Sequence, residues 1–445
     1  MRGLAPKIFS KKKAVFKLTK TLNVYTIIKN RKRGETKLTK NIVIFGLGAR
    51  GKIYAKFAAT YPEKFKIAAI IENGEKNVYY AKEHYPEVPL YTDYKEFLKD
   101  GIKADLAFIC TQDDSHKEHA EAFMAAGYDL LLEKPIANNE KDCLDIYNAS
   151  VKEGRKVIVC HVLRYTPFYR TVKRIIDDGR LGDIITVRAS ENVGYFHQAH
   201  SFVRGPWRNS KESSPMILAK CCHDMDILRY LIGKKCLSVS SMGKLSYFVK
   251  ERAPEGSANY CSDCKYKDCI YNAQKLYLTD FSREFSGYFN AEEPTDENIL
   301  KNLRHSPYDR CVYKCDNDVV DHQVTIATFE DGVTACHSMT AFSKTIYRDL
   351  HIHGTKAELC GSIESGELEV RTFGGETEKI VIDSSAAVVG GHMGGDYFMM
   401  NALYDELNGK KGEGITYLDV SVDSHKMSFA AERSRLNGGM PEIIK

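Results

Sequence analysis

No apolar run in this sequence is long enough to span a membrane. The longest clean stretch, Ile42–Leu47, has the length of one β-strand. Tryptophan is nearly missing, with Trp207 alone, and there is no internal repeat or low-complexity tract, so solenoid and fibrous architectures are excluded. Acid is almost absent from the first forty positions, which hold 13 Lys+Arg and only Glu35. That segment also lacks a compact apolar stretch and a small-residue cleavage site, so it is a poor secretory signal. An even set of closely spaced cysteines is lacking too. The 13 are spread over 445 residues, which speaks against a secreted disulfide framework and for a reducing cytoplasm.

What is present is an ordinary globular composition, 43% hydrophobic and 28% charged, enough for two or three domains with sizeable cores. The net charge of +5 belongs to residues 1–40. The other 405 residues carry 51 of the 64 basic and 58 of the 59 acidic side chains, a net of −7, which argues against nucleic-acid binding by the body. The leader itself suits a transit peptide or a nucleic-acid arm, but is read here as a flexible tail or a start codon placed too far upstream.

From Asn41 to Cys160 short apolar strands alternate with helical segments. Strands are expected at 42–45, 66–71, 88–91, 105–110, 128–132 and 157–160, with Asp93 capping the helix from Tyr94. This rhythm predicts a doubly wound parallel sheet over residues 41–163, an α/β domain. After Arg164 the pattern becomes antiparallel, with a hairpin turn at Asp331-Gly332 and helices at 167–177, 214–231, 396–407 and 419–436. Residues 164–445 are therefore expected to form an α+β domain with a large, mostly antiparallel open sheet, interrupted by a polar, cysteine-bearing insertion at 250–310.

Gly46-Leu47-Gly48-Ala49-Arg50-Gly51 follows a strand and opens a helix. In that setting Gly46 permits the tight turn, Gly48 lets backbone approach a pyrophosphate, and Gly51 allows close helix–strand packing. Glu72, at the end of the second strand, is placed to accept hydrogen bonds from ribose hydroxyls and to repel a 2′-phosphate, which favours NAD over NADP. Glu133-Lys134-Pro135 follows the fifth strand, at the edge where ligands bind in such sheets; Lys134 there can stabilise an alkoxide as hydride leaves. His223 suits general acid–base work, and Asp226 lies three positions on, on the same helical face. Trp207 and Arg208 suit a sugar ring and its hydroxyls. His392, in a glycine-rich loop, reads as a substrate contact or lid, or as an exposed hairpin turn. Cys261-x2-Cys264-x4-Cys269, with Cys311 and Cys315 further on, has the spacing of a soft-metal site, zinc being the expected structural ion; an iron–sulfur cluster, free thiols or an adventitious disulfide are the alternatives.

Taken in order, GLGARG, Thr111–His116 (TQDDSH), EKP, Arg164-Tyr165 and Cys222–Asp226 (CHDMD) resemble the glucose–fructose oxidoreductase / inositol dehydrogenase / MocA family over about residues 41–440. The resemblance implies NAD(P)-dependent oxidation of a sugar or cyclitol hydroxyl, with Lys134 and His223 at the reaction centre. It further implies cofactor contacts at Gly46–Gly51, Glu72, Thr111, His116 and Glu133, substrate contacts including Arg164 and Asp226, and assembly into dimers or tetramers; Lys220 reads as a substrate contact or as a cap on a helix face. One departure stands out. Where many members carry an Asp four positions before the histidine, this chain has Ala219, followed by Lys220. The leading expectation is a net oxidoreductase acting on a sugar, glycoside or cyclitol. The rivals are a glycosidase or lyase that oxidises its sugar only transiently, and a non-catalytic nucleotide-binding subunit.

Overall fold

The computed structural model describes residues 38–444 apart from 267, 280, 281, 291, 384 and 386–389. All but the last three residues of the basic leader lie outside the described residues. No described helix is long and apolar enough to cross a membrane.

The first half runs β1 (Lys40–Phe45), α1 (Ala49–Thr60), β2 (Phe65–Ile71), α2 (Glu75–His84), β3 (Leu90–Tyr91), α3 (Tyr94–Asp100), β4 (Leu106–Ile109), α4 (His116–Ala125), β5 (Leu130–Leu132), α5 (Glu140–Glu153) and β6 (Val157–Val159). The strands form one sheet in the order β3-β2-β1-β4-β5-β6. Every pairing is parallel. β4, β5 and β6 are wholly buried, as apolar strands covered on both faces must be. The helix starts follow local chemistry: Asp93 accepts from the Lys95 N–H, and Asn139 from that of Asp142. This strand order places the chain reversal between β1 and β4, with the carboxyl ends of β1, β2, β4 and β5 along one crevice.

The second half runs α6 (Pro167–Asp177), β7 (Ile184–Asn192), α7 (Tyr195–His197, continuing into π-helical turns over Gln198–Arg204), α8 (Met216–Ala219), α9 (Cys222–Ile232), β8 (Cys236–Lys244), α10 (Ala273–Leu276), α11 (Asp296–Leu303), β9 (His322–Phe329), β10 (Thr334–Thr340), β11 (Tyr347–Gly354), β12 (Ala357–Ser362), β13 (Glu367–Thr372), β14 (Thr377–Val381), α12 (Gly395–Leu407), α13 (Leu418–Leu436) and β15 (Glu442–Ile443). Its nine strands pair in the order β14-β13-β12-β11-β7-β10-β9-β8-β15. Only β7 and β10 run parallel. Asp331 and Gly332 both take positive φ (58° and 75°), the conformation that matches a tight hairpin to strand twist. β9 alternates exposed and buried residue by residue, so one face of this sheet packs on helices and the other does not.

Two elements depart from the periodicity. The single helix expected at 214–231 is broken at Lys220-Cys221 into α8 and α9. The last two helices do not belong to the second sheet alone. Met399, Met400 and Leu403 of α12 complete the core on one face of the parallel sheet, and Leu418, Val422 and Phe429 of α13 complete the other. Met427 and Ala430 of α13 meanwhile pack into the core under the antiparallel sheet. The chain therefore returns to its first sheet, and α13 ties the two halves into one unit.

Candidate active site

The crevice is built from the glycine loop upward. Gly46 takes φ +91°, and a Cβ there would lie 2.6 Å from the Cys110 carbonyl oxygen. A Cβ on Gly51 would come within 2.0 Å of the Gly46 oxygen. Both glycines are demanded by packing. Gly48 is different: a Cβ there meets nothing within 4 Å. It caps α1 with no side chain over the helix N-terminus and no acid in the first turn. That leaves an open approach to a positively polarised helix end, the environment a pyrophosphate requires. Beside it the Glu72 carboxylate is held by the Leu47 N–H (2.6 Å) and the Gly74 N–H (2.7 Å), fixed at the end of β2. Loop, helix end and carboxylate thus fit a dinucleotide on the structure's own geometry.

Arg50, inside the glycine motif, points inward. Its Nε donates to Glu133 Oε1 (2.7 Å), and its Nη2 to the Tyr54 hydroxyl (2.6 Å) and to Asp396 Oδ1 (2.6 Å). Tyr54 donates to the same Glu133 oxygen (2.6 Å). Asp396 in turn accepts from the Gly391 N–H (2.8 Å) and stands 3.1 Å from His392 Nδ1. One guanidinium therefore locks together the first turn of α1, the Glu133-Lys134-Pro135 turn and the loop before α12. Burial raises the Asp396 carboxyl, but Arg50 and His392 override it and hold that group well below the usual range. His392 and Met393 adopt left-handed backbone (φ 53° and 50°) between Gly390 and Gly394, a conformation costly for side-chain-bearing residues.

Lys134 precedes Pro135 across a cis peptide bond. Its Nζ donates to the Ala219 carbonyl at 2.9 Å. That carbonyl is available because of the break between α8 and α9; in a continuous helix it would have accepted the His223 N–H. His223 stands one turn on, 5% exposed. Its Nδ1 has no hydrogen-bond partner among the described residues. Its ring lies 5.9 Å from His161 and 6.0 Å from His392, centroid to centroid. Burial first, then the charge of Lys134 and the neighbouring imidazoles, keep His223 well below its ordinary value, so it is neutral.

Other expected contacts are placed differently. Arg164 and Asp226 are closed on each other in a bidentate pair (2.6 and 2.5 Å), at 3% and 1% exposure. Asp226 thus neither faces a substrate nor orients His223, because its carboxylate is needed to neutralise a buried guanidinium. His116 is wholly buried, its Nδ1 2.8 Å from the Pro135 carbonyl and its Nε2 3.3 Å from that of Thr111; it braces two loops. Thr111 Oγ1 meets His119 Nδ1 at 3.0 Å. Arg208 is spent on Asp316 (2.8 and 2.9 Å) and Glu212, and Trp207 is half-buried against the second core. No hydrogen bond or ring contact draws either into the Lys134–His223 cluster among the described residues. Lys220 is half-buried, 3.7 Å from Glu191 Oε1; desolvation lowers its ammonium, and Glu191 opposes the shift. Cys261, Cys264, Cys269 and Cys311 all line one cavity in the insertion.

Sequence reasoning missed several neighbours. His161, just beyond β6, is fully buried, with neither ring nitrogen hydrogen-bonded among the described residues and its Nε2 3.9 Å from Asp226 Oδ1. His425 of α13 sits 5.4 Å from it and accepts the Ile136 N–H at 3.0 Å. Glu191 and Arg348 are ion-paired register partners on β7 and β11, and Arg348 also reaches Asp224 at 3.1 Å. The available signals were a histidine at a strand's carboxyl end and charges in the inward register of apolar strands.

These buried imidazoles make stability depend on pH. Burial above all holds His161, His197 and His223 well below normal, and His200 and His425 at about 3. The unfolded chain, with histidines near 6.5, binds more protons than the folded one below that pH. Stability is therefore full above about pH 6.5 and falls as pH drops toward the folded values, by up to about 1.4 kcal/mol per pH unit for each such histidine. Urea midpoints between about pH 7 and 5 check this; a flat profile contradicts it.

A doubly wound sheet with an open glycine-loop crevice, a carboxylate after β2 and a Lys–His pair at the carboxyl edge define the class of NAD-binding oxidoreductases. Comparison with known proteins agrees. Residues 40–161 match the model of an oxidoreductase family's NAD-binding Rossmann fold, and residues 173–421 that of the same family's C-terminal alpha/beta domain. The chain belongs to the glucose–fructose oxidoreductase / inositol dehydrogenase / MocA family. It is 25% identical over 390 residues to YteT of Bacillus subtilis (strain 168), a protein named as an oxidoreductase, covering 82% of this chain and 88% of that one. It is 26% identical over 206 residues to inositol 2-dehydrogenase 2 of Saccharopolyspora erythraea, covering 46% of this chain and 57% of that one. A levoglucosan dehydrogenase solved with NADH and levoglucosan shares the fold, at TM-score 0.68 and 16% identity over 92% of this chain and 99% of that one.

Proposed function

We propose that this chain transfers a hydride between NAD and a hydroxyl-bearing carbon of a sugar, glycoside or cyclitol. The observation that carries this reading is the convergence of Lys134, from the end of β5, with His223, from α9, at the carboxyl edge of the parallel sheet. Bound NAD supplies a nicotinamide carbon that accepts the hydride. Lys134 has three donors, of which Ala219 takes one; the others are free to hold the substrate oxygen and stabilise its developing negative charge. Neutral His223 takes the hydroxyl proton on Nε2, since its Nδ1 is buried. The Arg50 network holds the Lys134 turn in place and the His392 loop beside His223, and a loop so placed can exclude water. Lys220, facing Glu191, supplies a further donor for substrate hydroxyls.

The outer face of the antiparallel sheet exposes Leu237, Met242, Val324 and Ile326. A row of apolar side chains on an open sheet supports self-association there, and the composition of the body favours a cytoplasmic setting. Residues 41–163 serve the cofactor in this reading and residues 164–445 the substrate, with α12 and α13 completing both.

The direct test uses a sugar or cyclitol deuterated at its carbinol carbons. Label appearing on the reduced nicotinamide supports the proposal, and unlabelled product contradicts it. A second expectation concerns the cofactor. Glu72→Ala removes charge-assisted hydrogen bonds to ribose of about 1.5–3 kcal/mol, so KM for NAD rises about 10- to 100-fold. The preference for NAD over NADP shrinks with it, because the repulsion of a 2′-phosphate is gone. Steady-state kinetics with both cofactors check this; an unchanged NAD/NADP ratio contradicts it.

A further inference from the structure

The insertion between β8 and β9 carries no sheet strand, yet it encloses a cavity at its own centre. Cys261, Cys264, Cys269 and Cys311 all line it, together with Arg204, Tyr271 and Tyr313. The cavity is small, about 20 Å³, and is partly open to solvent. All four cysteines are free thiols. Arg204 is 1% exposed and comes from the π-helical turns after α7. Its Nε donates to the Arg310 carbonyl (2.7 Å), and its Nη2 to the Tyr271 carbonyl (2.7 Å) and to Cys261 Sγ (3.5 Å). Its Nη1 is buried without a partner, and no carboxylate pairs with this guanidinium among the described residues. A buried cation with no counter-charge is costly. It becomes intelligible if the cavity holds a negatively charged group.

We propose that Cys261, Cys264, Cys269 and Cys311 ligate an iron–sulfur cluster, with Arg204 as its buried counter-cation. Four thiolates on an inorganic core give the net negative charge that Arg204 lacks, and a hydrogen bond to a ligating sulfur is a regular feature of such centres. The spacing of the sulfurs decides between this group and zinc. One zinc with thiolates at about 2.3 Å in tetrahedral array brings the sulfurs to about 3.8 Å from one another. Here no three of these sulfurs lie within 4.8 Å of one another, although other metal-ligating side chains of the fold do. A cluster spreads its thiolates further apart, because each binds a different iron. The single structural zinc suggested by the spacing in sequence therefore fits less well.

The centre would fasten this polar insertion to the second half of the chain. Arg204 ends a segment that begins at Tyr195 and carries His197, which feels the charge of Lys220 in the candidate active site. The cluster is thus structural and takes no part in the hydride step.

The test is metal and acid-labile sulfide analysis of the full chain, expressed with iron and purified without oxygen. The expected result is iron and sulfide in equal, stoichiometric amounts, with a broad visible absorption that dithionite bleaches. Cys264→Ser loses iron, whereas Cys315→Ser, whose side chain does not line the cavity, keeps it. Stoichiometric zinc without sulfide overturns the proposal, as does a chain that binds neither metal. Iron retained by a folded Cys264→Ser/Cys269→Ser double variant overturns the ligand assignment. Wild-type analysis needs no variant, so the proposal stays testable if the substituted chains do not fold.

Discussion

Lys134→Met lowers kcat by about 10²- to 10⁴-fold while leaving NAD affinity within a few-fold. The range is what a positioned group in proton transfer and charge stabilisation contributes. The expectation follows from where Lys134 sits. It lies at the carboxyl end of β5, its Nζ is anchored by the Ala219 carbonyl at 2.9 Å, and the glycine loop and Glu72, the proposed cofactor contacts, are built separately from it. Methionine keeps the length of the stem and removes the charge and donors. Pre-steady-state kinetics with NAD binding measured by titration separate the two quantities. A variant with unchanged kcat removes Lys134 from the mechanism, and a variant that loses NAD binding instead recasts it as a cofactor contact. His223→Asn should show the same split, with activity partly restored at high pH where the substrate hydroxyl loses its proton more readily.

Asp226→Ala costs about 3–5 kcal/mol of stability, because it leaves the buried Arg164 guanidinium uncompensated. Both partners are almost fully buried, and the contact is a bidentate fork. Replacing both, as Arg164→Leu with Asp226→Leu, should recover much of that loss, since an apolar pair of similar volume removes the unpaired charge. Urea unfolding of the two singles and the double forms a thermodynamic cycle. A single variant that loses less than about 1 kcal/mol, the worth of an exposed pair, contradicts a structural role. It would return Asp226 to the substrate side.

The cofactor half was legible because its signals are local. GLGARG after a strand, an acid after the next strand and EKP after the fifth are fixed by turn geometry and helix-end electrostatics, and they stand where those constraints put them. Asp93 was readable as a cap for the same reason. The break between α8 and α9 was not, because Lys220 and Cys221 are compatible with helix; the carbonyl it frees at Ala219 is taken by Lys134, 85 positions earlier, a contact that periodicity does not report. The fate of Asp226 was hidden too. Spacing of three put it on the face of His223, but its partner Arg164 lies 62 positions earlier in sequence, and periodicity carries no information about such a pairing. Arg50 illustrates the reverse. Its place in the glycine motif suggested a cofactor contact, whereas its reach to Glu133 and Asp396 makes it a clamp between loops. Likewise the helical periodicity of α12 and α13 announced helices without saying which sheet they would cover.

The central claim is net hydride transfer to NAD from a sugar or cyclitol carbon, and one experiment reads it most directly. The full chain is incubated with excess NAD and a panel of free sugars, cyclitols and aryl glycosides, while nicotinamide absorbance and released aglycone are followed together. The account predicts NADH accumulating with at least one hydroxyl-bearing substrate and no aglycone. Aglycone released at constant NADH would contradict it, and would show that the same Lys134–His223 centre oxidises its sugar only transiently on the way to elimination.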